Sequence, residues 1–395
     1  MARLTVVAEP FPDWEAPVQR LAARDLTVAL SAHAPRSCSV RYLSASDSPL
    51  PEFPSARIAT EQLPLRKNLL PMLWQSRATA RPLDGELFHA LTPMVPLRAR
   101  AEDFGTQSTI TIPHMLQWEA PELMSPNQAR LLRAFVRRAA KFADVILTTT
   151  YATANTLAEV CGSDLNVQVV PFAAPREFVA GPDAATLRAQ LDLPERYAVT
   201  TARADERGRL SWAFDALRAH PEAEHLVVLE GLDPAVYTKS SGAEKSRPAK
   251  SADTDEAAAP EAPRAGSVAV PADLAHRVTV VSIDTEDELA YVGAIIGGAS
   301  LFLQPQSFLG SGYTVLAALT AGVPVLHSGH DATEELVLEA GSAAPTAEEF
   351  AAEFARLCTN SNDALEHLTV LAGDRGRTFS WQNTAWHLWQ THADI

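Results

Sequence analysis

Short apolar runs alternate along the chain with stretches whose apolar residues recur every three or four positions. Leu4–Ala8 reads as a buried strand and Val18–Ala23 as the start of a helix. Leu87–Ala90 and Ser108–Ile112 are again strand-like. Asn127–Ala143 carries apolar residues at helical spacing, with Arg130, Arg133, Arg137, Arg138 and Lys141 on its other faces. Val145–Thr149 is a further strand, a helix runs through Val160, and Val167–Pro171 is one more strand. Period-two or continuous apolar runs alternating with period-3.6 segments predict a doubly wound parallel sheet covered by helices on both faces.

The pattern then restarts. Tyr197–Thr201 is a strand, Ser211–Arg218 a helix, and Leu226–Leu229, Val278–Val281, Leu301–Gln304 and Val323–Leu326 are strands. Two successive open α/β sheets joined near Pro175–Pro194 account for this. Ligands of such sheets sit beyond the carboxyl ends of the strands, so a cleft between the two sheets is the expected binding place. The predicted division is residues 1–179, residues 180–373 and a closing helix over 374–395. Tyr237–Gly266 is rich in Ala, Ser, Pro, Lys and Glu and almost free of large apolar residues. Such a segment buries too little surface to offset its ordering entropy and reads as a disordered insert in the second unit.

Composition narrows the function classes. Hydrophobic residues make up 47% of the 395 and charged residues 21%, the balance of a soluble globular chain with a large core. The net charge of −15 disfavours nonspecific nucleic-acid binding, and no basic stripe with interleaved aromatics is present. Cys38, Cys161 and Cys358 lie far apart, without metal-ligand spacing, which fits a reducing cytoplasmic compartment. No carboxylate cluster calls for a metal, and no cofactor is implied. The first residues carry no signal-peptide pattern, and no apolar run is long enough to span a bilayer. The arginine-rich helix over 127–143 allows at most peripheral contact with an anionic membrane, a solvated face being its plainer role.

Several segments, in order, resemble the family 4 glycosyltransferases, whose GT-B fold sets two Rossmann-like domains across a cleft. RVTVVSIDTEDELAYVGAIIGGASLFLQPQ is similar to the family's strand, acidic turn, helix and following strand. FLGSGYTVLAALTAGVPVLHSG, from Phe308, resembles its glycine turn, helix and "GVPV" strand, with Gly310, Ser311 and Gly312 in the turn. Glu334–Glu335–Leu336 resembles the start of the next helix. FSWQNTAWHLW resembles the closing segment, whose helix crosses back onto the first domain. DGELFHALTP, TIPHMLQWEAPEL and RRAAKFADVILTTTYAT resemble first-domain motifs.

The resemblance implies a retaining transferase that moves a sugar from a nucleotide-sugar donor to an acceptor: a glycan, a lipid or a small molecule. It also implies an eroded donor site. The family's two glutamates match Leu309 and Ala317, which accept no side-chain hydrogen bond. A buried sugar hydroxyl left unpaired costs about 1–3 kcal/mol. Where the family has a Gly-Gly turn near the donor phosphate, this chain has Ala16–Pro17, and Pro17 has no N–H. Met115 replaces an acid, and Pro171–Phe172–Ala173 replaces a "PNG" turn.

What survives is Arg203 and Arg207, matching the diphosphate clamp, and His114, matching the cleft histidine and so the candidate catalytic residue. Arginine's planar fork suits phosphate. Each has a plainer explanation: solvated loop charges for the arginines, a structural imidazole for His114. His89 reads as a packed histidine, and His327 and His330 as surface-loop residues. Asp331 and Glu334 could stand in for a missing acid, although helix starts favour acids anyway. The losses equally suit a non-catalytic GT-B scaffold acting as partner or regulatory subunit of an active glycosyltransferase.

Overall fold

The computed structural model describes residues 2–76, 87–99, 105–232, 268–359 and 363–395. The predicted insert at 237–266 lies outside the described residues. Seven described strands form the first sheet: β1 (Arg3–Val7), β2 (Ser39–Ser44), β3 (Ile58–Gln62), β4 (Leu87–Ala90), β5 (Gln107–Thr111), β6 (Val145–Thr148) and β7 (Val167–Val169). Their order is β3-β2-β1-β4-β5-β6-β7. Six more form the second: β8 (Tyr197–Thr200), β9 (His225–Glu230), β10 (Val278–Ser282), β11 (Leu301–Gln304), β12 (Val325–His327) and β13 (Gly341–Ala343), in the order β10-β9-β8-β11-β12-β13. The paired strands run parallel in both sheets. The chain thus folds into two Rossmann-like domains.

Strand character follows from burial. Tyr197–Thr200 and Leu301–Gln304 are buried at every position, as a parallel strand covered on both faces must be. Two strands lay outside the apolar pattern because polar residues interrupt them. In β2, Arg41 is buried, donating from Nε and Nη2 to Thr5 Oγ1 and from Nη1 to Glu61. β3 is an edge strand with mostly exposed side chains.

The arginine-rich helix spans Pro126–Phe142. Ser125 caps it by accepting the Gln128 N–H while the Gln128 side chain accepts the Ser125 N–H. That reciprocal box, with Pro126 in the first turn, explains where the helix begins.

Each sheet reverses its strand order once, at β1/β4 and at β8/β11, and the carboxyl ends of these strands face the cleft. The helix Ala16–Ala32 follows β1 and runs along the boundary. Its Arg24 forks onto Glu177 at 2.7 Å. The last helix, Trp381–Asp394, packs on the first sheet's side. Trp381 Nε1–H donates to Ala174 O, Thr384 O–H to Pro171 O, and Trp389 Nε1–H to Leu30 O.

Candidate active site in the interdomain cleft

The site is built from two turns that meet across the cleft. From the second domain comes Phe308–Gly312, between β11 and the helix Tyr313–Thr320. Gly312 has φ of 74°, a conformation that side chains with a Cβ rarely adopt. Gly310 has a different reason to be glycine: a Cβ there would collide with the carboxylate of Glu15.

Glu15 arrives from the first domain, as the residue just before the helix Ala16–Ala32. Its Oε1 accepts the Ser311 N–H at 2.7 Å and its Oε2 accepts the Ser311 hydroxyl at 2.5 Å. Gln19, one turn further on, donates from Nε2 to Ser311 Oγ at 2.6 Å and accepts from the Tyr313 hydroxyl. An anion at a helix start is favoured by the free N–H groups and the positive end of the dipole. Glu15 is 9% exposed, so these bonds are shielded from water.

His114 completes the group. Its Nε2 lies 3.7 Å from Glu15 Oε2, and its ring stacks on Trp14 with centroids 5.8 Å apart. Burial lowers the pKa of its imidazole below the ordinary histidine value, against the opposing pull of Glu15 and Glu119. Its Nδ1 finds no hydrogen-bond partner among the described residues. Burial, reinforced by Glu15, pushes the Tyr313 hydroxyl well above the usual tyrosine range.

Beside this network lies a cavity of about 180 Å³. Gly231 and Leu232 after β9, Ile283–Glu286 after β10, Gln304 at the end of β11, Phe308–Gly310 and Gly312–Thr314 form one side. Trp14, Glu15, Pro17 and Val18 form the other. Its described walls carry the carboxylates of Glu15, Asp284 and Glu286 and no Lys, Arg or His. Glu286 is paired with Arg20 at 2.8 Å. Gln304 is 4% exposed, and its side-chain oxygen is without a hydrogen-bond partner among the described residues.

Of the residues singled out from sequence, His114, Gly310, Ser311 and Gly312 come together here, joined through Glu15. Arg203 and Arg207 do not line the cavity. Arg203 pairs with Asp205, two residues on, and its Nη1 is buried without a partner among the described residues. Arg207 reaches across to the first domain, donating from Nε to Glu122 at 2.7 Å. Leu309 lines the cavity, whereas Ala317 is fully buried within its helix.

His89 is a buried residue of β4, its Nδ1 3.0 Å from the Oγ1 of Thr109 on the neighbouring β5. His327, read as a loop residue, is instead the buried last residue of β12, its Nδ1 accepting the Gly329 N–H. Asp331 and Glu334 open the helix Asp331–Val337 and do not line the cavity. Glu15, Gln19 and Gln304 escaped the sequence reading. The stretch holding Glu15 drew notice for its missing glycines, and the acid immediately before Ala16–Pro17 was the available signal.

Both domains and their pairing define the GT-B fold. No protein-family model matches the chain, and no curated protein does. Solved structures do. Sucrose-phosphate synthase from Thermosynechococcus elongatus superposes with a TM-score of 0.67 at 17% identity, over 100% of this chain and 99% of that one. Anabaena HepE in complex with UDP-glucose gives 0.61 at 13% identity, over 100% of both chains. WaaG, a glycosyltransferase involved in lipopolysaccharide biosynthesis, gives 0.59 at 13% identity, over 98% of both. Among the described residues, no helix is long and apolar enough to cross a membrane.

Proposed function

We propose that the chain is a glycosyltransferase that takes a nucleotide-sugar donor into the interdomain cavity and transfers the sugar with retention. The observation that carries this reading is the cavity itself. It lies at the carboxyl ends of β9, β10 and β11, closed by a glycine turn, in a chain that superposes end to end on HepE in complex with UDP-glucose. The nucleoside would lie against Gly231 and Ile283–Glu286. The diphosphate and the sugar attached to it would approach the Gly310–Gly312 turn, with His114 contacting the sugar from the first domain.

The leaving diphosphate needs cations that the cavity walls do not supply. Arg203 and Arg207 would supply them, Arg207 by exchanging Glu122 for phosphate. Charge placed where the leaving group develops negative charge lowers the barrier. Front-face transfer assisted by that leaving group needs no enzymic nucleophile, so the leucine at 309 and the alanine at 317 are compatible with turnover. Selection of sugar and acceptor would fall to side chains on the first-domain side, around Asp13, Thr92 and His114.

The test is calorimetric titration with UDP, ADP and GDP and their glucose conjugates. Saturable binding that Arg203→Ala and Arg207→Ala each weaken about tenfold or more is expected, since each removes a charge-assisted contact. Absence of binding at millimolar ligand sinks the reading. One feature favours the non-catalytic scaffold instead: Glu15 fills the turn and Glu122 holds Arg207. On that second reading the protein is a partner subunit, and no sugar transfer accompanies any binding.

A further inference from the structure

We propose that Glu15 is the resident anion of the phosphate seat, so that a donor binds the Gly310–Gly312 turn only by displacing this carboxylate. The inference rests on the nucleotide-sugar reading above and adds a residue that sets which ligands the cavity admits.

The N–H and the hydroxyl of Ser311, in the turn, are both spent on Glu15. Glu15 Oε2 also accepts from Gln19 Nε2 at 3.4 Å, so Glu15 acts purely as an acceptor in these bonds, as a phosphate would. The absence of a Cβ at Gly310 is what lets the carboxylate come this close. A second, independent sign that a ligand belongs here is Gln304. Gln304 lines the same cavity, and its buried side-chain oxygen is left without a hydroxyl or N–H donor among the described residues. Size agrees: about 180 Å³ falls short of the roughly 300–1,000 Å³ of pockets that enclose a small organic ligand. Withdrawal of Glu15 from Ser311 would enlarge the cavity at the turn.

The consequence is selectivity by ligand part. A nucleoside fills the end near Gly231 and Ile283–Glu286 without touching the seat. A nucleoside diphosphate competes with Glu15 for Ser311. Relieving the competition should strengthen the diphosphate alone.

Glu335 supplies the control. It is a second carboxylate seated across the cleft on a helix start, accepting the Tyr151 N–H at 2.5 Å and the Ala152 N–H at 3.0 Å. It does not line the cavity. Removing its charge loosens the domain boundary and leaves the seat alone.

The experiment titrates UDP and uridine (and the ADP/adenosine and GDP/guanosine pairs) into the full chain, Glu15→Gln and Glu335→Gln. The expected result is about tenfold or more tighter diphosphate binding in Glu15→Gln, with nucleoside affinity unchanged and Glu335→Gln like the parent. Diphosphate binding that is unchanged or weaker in Glu15→Gln overturns the inference while leaving the donor reading intact. Equal tightening in Glu335→Gln also overturns it, because domain opening would then be the cause. No binding to any protein at millimolar ligand overturns both. If Glu15→Gln does not fold, Glu15→Ala gives the same readout, since the residue's backbone carries the helix start.

Discussion

Trp389→Ala is expected to lower the unfolding free energy by about 3–5 kcal/mol, the range for emptying a large buried aromatic site. Trp389 is 7% exposed, in the last helix. Its indole N–H donates to Leu30 O, in the final turn of the helix that follows β1, at 3.1 Å. The substitution empties the space between the two helices and leaves the Leu30 carbonyl without its buried donor. Urea unfolding followed by circular dichroism checks it, and an unchanged midpoint would refute the claim that this helix is integral to the first domain. Trp386→Ala is the internal comparison. Trp386 is 60% exposed one turn earlier, and its loss should stay within about 0.5 kcal/mol. The consequence reaches the site, because the helix that Trp389 braces begins immediately after Glu15.

Mild acid should destabilise the fold, and His392 should account for a measurable part. Burial lowers its pKa from 6.5 to about 4. Its Nδ1 lies 3.3 Å from Gln107 Oε1 and its Nε2 3.2 Å from Thr109 Oγ1. The Gln oxygen accepts only, so the proton sits on Nδ1, and Nε2 accepts from the Thr hydroxyl. A second proton on Nε2 would reverse that bond, leaving the Thr109 hydroxyl to donate to Phe88 O, and place a charge in the core.

The unfolded chain therefore binds this proton more readily than the fold does. Stability is full above about pH 6.5 and drains as the pH falls toward about 4, at about 1.4 kcal/mol per pH unit, or about 3 kcal/mol over the interval. His89, lowered to about 3, and His327, lowered to about 4, act in the same direction. Urea midpoints measured from pH 7 to pH 4 for the parent and His392→Gln isolate the contribution of His392. The variant should lose about 1.4 kcal/mol per pH unit less steeply. Parallel pH profiles would show that His392 titrates normally in the fold.

The two arginines and the glutamate frame the same chemical question from opposite sides. The cavity that the fold offers to a diphosphate is lined by acids, and the cations able to neutralise one are held by Asp205 and Glu122. Exposed or half-buried pairs of this kind hold weakly, about 0–1 kcal/mol each, so a phosphate can outcompete them. The Ser311 bonds to Glu15 are buried and charge-assisted, and are correspondingly harder to displace.

The architecture was legible in the chain because a parallel strand buried on both faces must be apolar throughout, and a covering helix must be apolar on one side. Tyr197–Thr200 and Leu301–Gln304 announced themselves by that rule. Ser39–Ser44 and Ile58–Gln62 did not, since an edge position and a buried Arg41 break the pattern that burial normally writes. The glycine turn was legible too, because positive φ at Gly312 leaves a residue-type signature. The pairing of Glu15 with Ser311 was not. The two are 296 residues apart, and nothing local marks either one as a partner. Only the closure of one domain on the other brings a carboxylate to an open helix start. The physical reason is that strand and helix periodicity is a local consequence of covering a surface, whereas charge complementarity across a cleft exists only once both surfaces have been placed.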